Sequence, residues 1–184
     1  VVLGDVTVGI AEGDRVGIVG RNGDGKSTLM KVLTGSIVPH GGTVTHRGSL
    51  LVGMLAQTDD LPAGSTVEHA IVGDIPEYEW AGDARVRDVL QGLVRGIDWK
   101  GSVDDLSGGQ RRRVSLAKLL VGEWDVLALD EPTNHLDMEG IAWLAKHLKT
   151  RWSSTAGGLL IVTHDRWFLD EVCTRMWEVH DGEV

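Results

Sequence analysis

Two adjacent acids, Asp130 and Glu131, stand at the end of the apolar run Val126 to Leu129. A buried strand that ends this way delivers one carboxylate to a metal ion and a second to an attacking water, the two needs of phosphoryl transfer. Asp130 suits the metal contact and Glu131 the polarising of water, and Pro132 with the downstream Asp137 fits a shaped loop after the acids. Upstream, Gly20-Arg21-Asn22-Gly23-Asp24-Gly25-Lys26-Ser27 has the spacing of a phosphate-binding loop. It lies between a strand over Arg15 to Val19 and a helix opening at Lys26, where that motif belongs. Gly20, Gly23 and Gly25 let backbone N–H groups curl around phosphate oxygens, which a Cβ would obstruct. Lys26 then reaches the β- and γ-phosphates, Ser27 is placed to ligate Mg²⁺, and the helix N-terminus adds its partial positive charge. Asp24 is an acid inside this anion-binding loop: harmless if it points to solvent, weakening for nucleotide if it points inward.

These residues need elements to hold them. Val6 to Ile10 alternates apolar residues, and Gly41-Gly42 with Gly48 brackets a short strand at Thr43 to His46. Leu50 to Leu55 reads as a strand delivering Gln57 at its end. The helix from Lys26 stops at Gly35. From about Thr66 to Gly96 the spacing is helical, with Val86, Val89, Leu90 and Leu93 on one face. Ser107 in Leu106-Ser107-Gly108-Gly109-Gln110 is an N-cap for a helix ending near Gly122. A helix over Met138 to Trp152 and an apolar strand over Leu159 to Thr163, ending at His164-Asp165, complete an alternation of strands and helices. This pattern predicts an α/β fold with a mainly parallel sheet, ligands at the carboxyl ends of its strands, an antiparallel β part and a small helical subdomain over about 66–122. Gln57 and His164 each terminate a strand; alone either would be an ordinary loop residue, but their order among the other motifs gives them a part in the site.

With 184 residues and 42% apolar content the chain has room for one domain with a real core. Its formal charge of -9 argues against a surface built mainly to coat nucleic acid. The run Arg111-Arg112-Arg113 does not change this, because consecutive helical residues point about 100° apart and share no face. It reads as solvated surface or as contacts to a partner domain. The seven tryptophans are scattered and read as packing. Cys173, the single cysteine, has no internal disulfide partner, and neither a signal peptide nor an apolar run of membrane-spanning length is present, so the cytoplasm is the expected compartment. The strand-like start at Val1 and the D-G turn signal at Asp181-Gly182 just before the end suggest a domain, residues 1–184, excised from something longer.

Across essentially the whole chain these motifs resemble the ATP-binding-cassette (ABC) ATPases. The glycine loop, Gln57, Leu106 to Gln110, Asp130-Glu131, Leu136-Asp137 and His164 correspond in order to that family's Walker A, Q-loop, signature, Walker B with catalytic Glu, D-loop and H-switch. The resemblance implies ATP and Mg²⁺ as cofactors. Gly20, Asn22, Gly23, Asp24, Gly25, Lys26, Ser27 and Thr28 would hold nucleotide, Ser27, Asp130 and Gln57 the metal, and Glu131, His164 and Gln57 would serve catalysis. It also implies that ATP is sandwiched between two cassettes, with Ser107, Gly109, Gln110 and Asp137 acting across that interface. The partner is then a second cassette of the same polypeptide, or a weakly bound second copy of this chain. The upstream stretch lacks the aromatic residue that such proteins often stack on adenine.

Within the superfamily, Glu131-Pro132-Thr133-Asn134-His135-Leu136-Asp137 is similar to the ABC-F branch, whose members lack membrane domains and typically act on ribosomes. Transporter cassettes usually carry a small pair where Asn134-His135 stands. The glycine loop, Ser27 to Lys31 and the helix around Trp143-Leu144 look most like the first cassette of Uup-type proteins. The 48 residues between Gln57 and Leu106 leave no room for a large inserted arm. A soluble ABC-F ATPase acting on the ribosome is the leading expectation, and the ATP-binding subunit of a membrane transporter the alternative. A DNA-repair ATPase of SMC type is excluded by the short spacing between motifs.

Overall fold

A computed structural model describes residues 3–4 and 6–184; the strand expected at Val1 lies outside them. The chain forms two compact units. One comprises Val1–Met54, Trp124–Pro132 and Ala145–Val184, the other Leu55–Glu123 and Thr133–Leu144.

The first unit is built on strands β1 (Arg15–Gly20), β3 (Val126–Asp130), β4 (Gly158–Val162) and β5 (Arg175–Val179), which with β2 (Val52–Leu55) form one sheet in the order β2-β3-β4-β1-β5. β1 pairs in parallel with β4 and β5, and β3 with β4. The central strands are buried on both faces, with Val16, Ile18, Leu127, Leu129, Leu159 and Ile161 fully inaccessible, as continuous apolar runs in a parallel sheet require. Helix α1 (Lys26–Leu33) buries Leu29 and Met30 in the same core as Val16, Ile18, Leu160 and Trp177. Burial pushes the Cys173 thiol up to about 12, which keeps it protonated at neutral pH.

The alternation at Val6 to Ile10 does turn Val6, Val8 and Ile10 against this core, yet neither that segment nor Thr43 to His46 forms a strand. Period-two alternation reports which side faces inward; it carries no information about whether a second strand's N–H and C=O groups lie within reach. Antiparallel pairing outside the named strands is limited, among the described residues, to the isolated bridges Thr66 with Ser102 and His180 with Glu183. The second of these closes the expected D-G turn, with positive φ at both Asp181 (48°) and Gly182 (86°).

The second unit is helical: α2 (Val67–Val72), α3 (Glu77–Trp80), α4 (Ala84–Val89), a π-turn over Leu90–Val94, α5 (Gly108–Val121) and the start of α6 (Met138–Thr150). Thr66 caps α2 by accepting from the His69 N–H (3.2 Å), and Asp83 caps α4 by accepting from the Arg85 N–H (2.8 Å). Of the four residues expected on one face, Val86, Val89 and Leu93 are buried and Leu90 is half-buried. Trp143 packs directly over Gly92 and donates its indole N–H to Asp88 (3.2 Å). A Cβ on Gly92 would lie 2.2 Å from the Trp143 ring, so Gly92→Ala is expected to destabilise the chain by about 1–3 kcal/mol through overpacking. Urea denaturation checks this, and a midpoint equal to the parent's would refute the packing.

Candidate active site

The sheet register brings the carboxyl ends of three strands to one edge of the first unit. Val162 of β4 is level with Ile18 of β1 on one side and with Asp130 of β3 on the other. Neighbouring strands lie about 5 Å apart. The glycine loop leaving β1, the acids ending β3 and the Thr163-His164 corner leaving β4 therefore sit side by side, with His164 on the middle strand.

Each part is shaped by local backbone chemistry. Gly23 (φ 90°) and Gly25 (φ 99°) adopt left-handed conformations, and Gly25 is the N-cap of α1 with no side-chain cap on the helix. The first N–H groups of α1 are thus left for an anion. Lys26 turns its ammonium back over the loop and donates to the carbonyls of Gly20 (2.9 Å) and Arg21 (2.8 Å). Its side chain is buried, at 8% exposure. The half-buried Asp24 spends its carboxylate within the loop, accepting from the Arg21 N–H at 2.7 Å.

Asp130 is wholly inaccessible to solvent. Glu131 leaves β3 with φ at 50° while its N–H still donates to the Val162 carbonyl at 2.7 Å. A left-handed non-glycine residue is uncommon and costs conformational energy. Here the Glu131 carboxylate lies 3.3 Å from His164 Nε2. The His164 imidazole is largely exposed and Glu131 mostly covered. Asp165, next in sequence, accepts from the Phe168 N–H (2.9 Å) and caps α7 (Arg166–Val172), which holds the corner in place.

The second unit carries the remaining candidates. Ser107 and Gln110 form a capping box: Ser107 Oγ accepts from the Gln110 N–H at 3.2 Å, and Gln110 Oε1 accepts from the Ser107 N–H at 2.9 Å. Asp137 accepts from the Gly140 N–H at 2.8 Å near the start of α6. A cleft of about 870 Å³ collects Ser107, Gly109, Gln110, Arg113, His135 and Asp137. His135, with φ at 64°, stands against Gly109. Gln57 is exposed, just beyond β2, within this same unit.

The arginine run is not the uniform solvated surface that its charge suggests. Arg112 is buried, donating to the Ala56 carbonyl and to Asp59 (3.0 Å), while Arg111 donates to the Val103 carbonyl (2.8 Å). The missed signal is helical period: Arg112, Leu116 and Leu120 recur at i, i+4 and i+8, and all three are buried.

The group that would hold a divalent cation beside the glycine loop offers hard oxygen donors, the Ser27 hydroxyl and the inaccessible Asp130 carboxylate. Mg²⁺ takes just such a sparse protein set and completes its octahedron with phosphate oxygens and water, so these residues fit it. Among the described residues no cluster of three or more His, Cys, Asp or Glu forms a self-sufficient metal cage.

A P-loop at the end of β1, acids at the end of β3 and a histidine at the end of β4 of one parallel sheet define a P-loop nucleotide-hydrolase class of α/β domain. The family model described as "ABC transporter" matches residues 3–134, and the chain belongs to that family, as an ABC ATP-binding cassette. It is 37% identical to the uncharacterized ABC transporter ATP-binding protein YfmR of Bacillus subtilis, over 95% of this chain and 33% of that protein. It is 35% identical to the energy-dependent translational throttle protein EttA of Mycobacterium tuberculosis, over 100% of this chain and 39% of that one. The chain thus spans between a third and two fifths of these relatives. A bacterial ABC transporter cassette solved as a dimer superposes with a TM-score of 0.81 at 25% identity, covering 100% of this chain and 88% of that one. The alignment with EttA runs over 221 residues and takes in all of this chain, so that relative carries residues within the matched span that have no counterpart here.

Proposed function

We propose that this chain is the ATP-hydrolysing cassette of an ABC-F protein acting on the ribosome, and that it works with a second cassette. The observation that carries the hydrolytic part is the 3.3 Å approach of Glu131 to His164 on neighbouring strand ends beside the glycine loop. Lys26 exchanges the Gly20 and Arg21 carbonyls for phosphate oxygens when nucleotide enters, and the uncapped N-terminus of α1 adds its N–H groups. Gly20, Asn22, Thr28 and the rest of the loop line the phosphates. Ser27 and Asp130 would hold Mg²⁺, and the family resemblance adds Gln57. When bound, that ion offsets the charge that builds on the phosphates. Glu131 orients the attacking water and takes up its proton, and His164 holds the Glu131 carboxylate in place.

The lid over the γ-phosphate comes from another cassette. Ser107, Gly109 and Gln110 gather with Asp137 in the cleft of the second unit, and in a pair of cassettes that cleft faces the nucleotide of the partner. Support for the ribosomal assignment comes from Asn134-His135 and from the similarity to a protein named as a translational throttle.

A two-cassette protein containing this chain, with Glu131→Gln and the matching change in its other cassette, is expected to co-sediment with ribosomes in the presence of ATP. Recovery in a membrane fraction, with ribosomes free of it, would overturn the ribosomal assignment in favour of a transporter subunit.

A further inference from the structure

Between β2 and α2 the chain runs through residues 56–60 without regular structure, and Gln57 stands exposed in the middle. A loop of this kind does not hold a side chain in one place by its own backbone hydrogen bonds. Here helix α5 holds it from outside. The Arg112 guanidinium, only 7% exposed, donates to the Ala56 carbonyl just before Gln57 and to the Asp59 carboxylate just after it, at 3.0 Å. From the same helix Lys118 donates to the Asp60 carbonyl at 3.3 Å, and Leu61 is buried at the loop's end.

We infer that Arg112 is a positioning residue for Gln57, clamping the loop on both sides of it to the helix whose capped N-terminus carries Ser107 and Gly109. The planar fork of arginine suits this task. It spans two acceptors in a fixed geometry, whereas a lysine ammonium is a single point charge on a flexible stem. The inference rests on the reading that gives Gln57 a role at the metal and nucleotide, and its test separates the two.

Two measurements on the full chain decide it. First, in the nucleotide-free chain, amide hydrogen exchange over residues 56–60 is expected to rise about tenfold in Arg112→Lys and Arg112→Gln, the loss of one charge-assisted hydrogen bond. Exchange at the parent rate would overturn the clamp. Second, the ratio of ATP affinity in Mg²⁺ to that in EDTA is compared across the parent, Gln57→Ala, Arg112→Gln and the double variant. Each single change is expected to lower the ratio several-fold, with no further fall in the double variant, because Arg112 acts only through Gln57. Losses that multiply would assign Arg112 a general structural role and overturn the inference, as would an unchanged ratio in Arg112→Gln when Gln57→Ala lowers it. If Gln57→Ala itself leaves the ratio at the parent value, the reading of Gln57 fails and the positioning role falls with it. Should Arg112→Gln fail to fold, Arg112→Lys and Asp59→Asn open the clamp from either side.

Discussion

Lys26→Ala is expected to weaken ATP binding roughly 10- to 100-fold, the loss of charge-assisted contacts to the phosphates. The effect on the fold is smaller but not nil. Lys26 is a buried side chain that bridges the Gly20 and Arg21 carbonyls, so its removal leaves two acceptors to find water. Both lie in a loop that is itself partly open to solvent, which limits the destabilisation to about 1 kcal/mol, or about 2–4 °C in melting temperature. Titration with a fluorescent ATP analogue, read beside a thermal melt, separates the two effects. Parent-like affinity in a variant that melts within this range would show that the glycine loop does not hold phosphate.

Glu131→Gln is expected to lower ATP turnover by at least about a hundredfold, the usual contribution of a positioned general base, while ATP binding persists. Glutamine keeps the size of the side chain and removes a negative charge next to the phosphates, so bound ATP survives to hold two cassettes together. Under the proposed pairing with a second cassette, a domain alone presents two half-sites, and its turnover should rise steeply with protein concentration. Sedimentation velocity in Mg-ATP should show the variant associating more strongly than the parent chain, since association stabilised by a ligand lasts only while the ligand does. A parent chain that stays monomeric yet turns over at about 1 per second or more, independent of its concentration, would sink the shared-site mechanism.

How much of this was legible in the amino-acid order follows from the range over which each signal acts. The strand before Gly20, the helix opened by Lys26, the cap at Ser107 with its Gln110 partner and the apolar runs ending at Asp130 and His164 are all local. Each depends on residues within a turn or a strand of one another, and the structure has them where spacing placed them. Their order along the chain also sufficed to indicate the ABC family and a parallel sheet.

Only the tertiary structure decided the rest, because those features depend on residues far apart in the chain. The extended stretches at Val6 to Ile10 and Thr43 to His46 have suitable side chains for strands, but pairing needs a neighbour that their own sequence does not name. Asp24 turns its carboxylate to the Arg21 N–H, a choice of rotamer that the motif leaves open. Glu131 meets His164 because β3 and β4 are adjacent and in register, a fact of strand order that no spacing between them encodes. Arg112 is the clearest case: charge marks it as surface, helical period places it on the buried stripe, and only the path of residues 56–60 past α5 supplies the carbonyl and carboxylate that let a guanidinium stay there. A buried charge persists where partners meet it, and the partners here are more than fifty residues away in sequence.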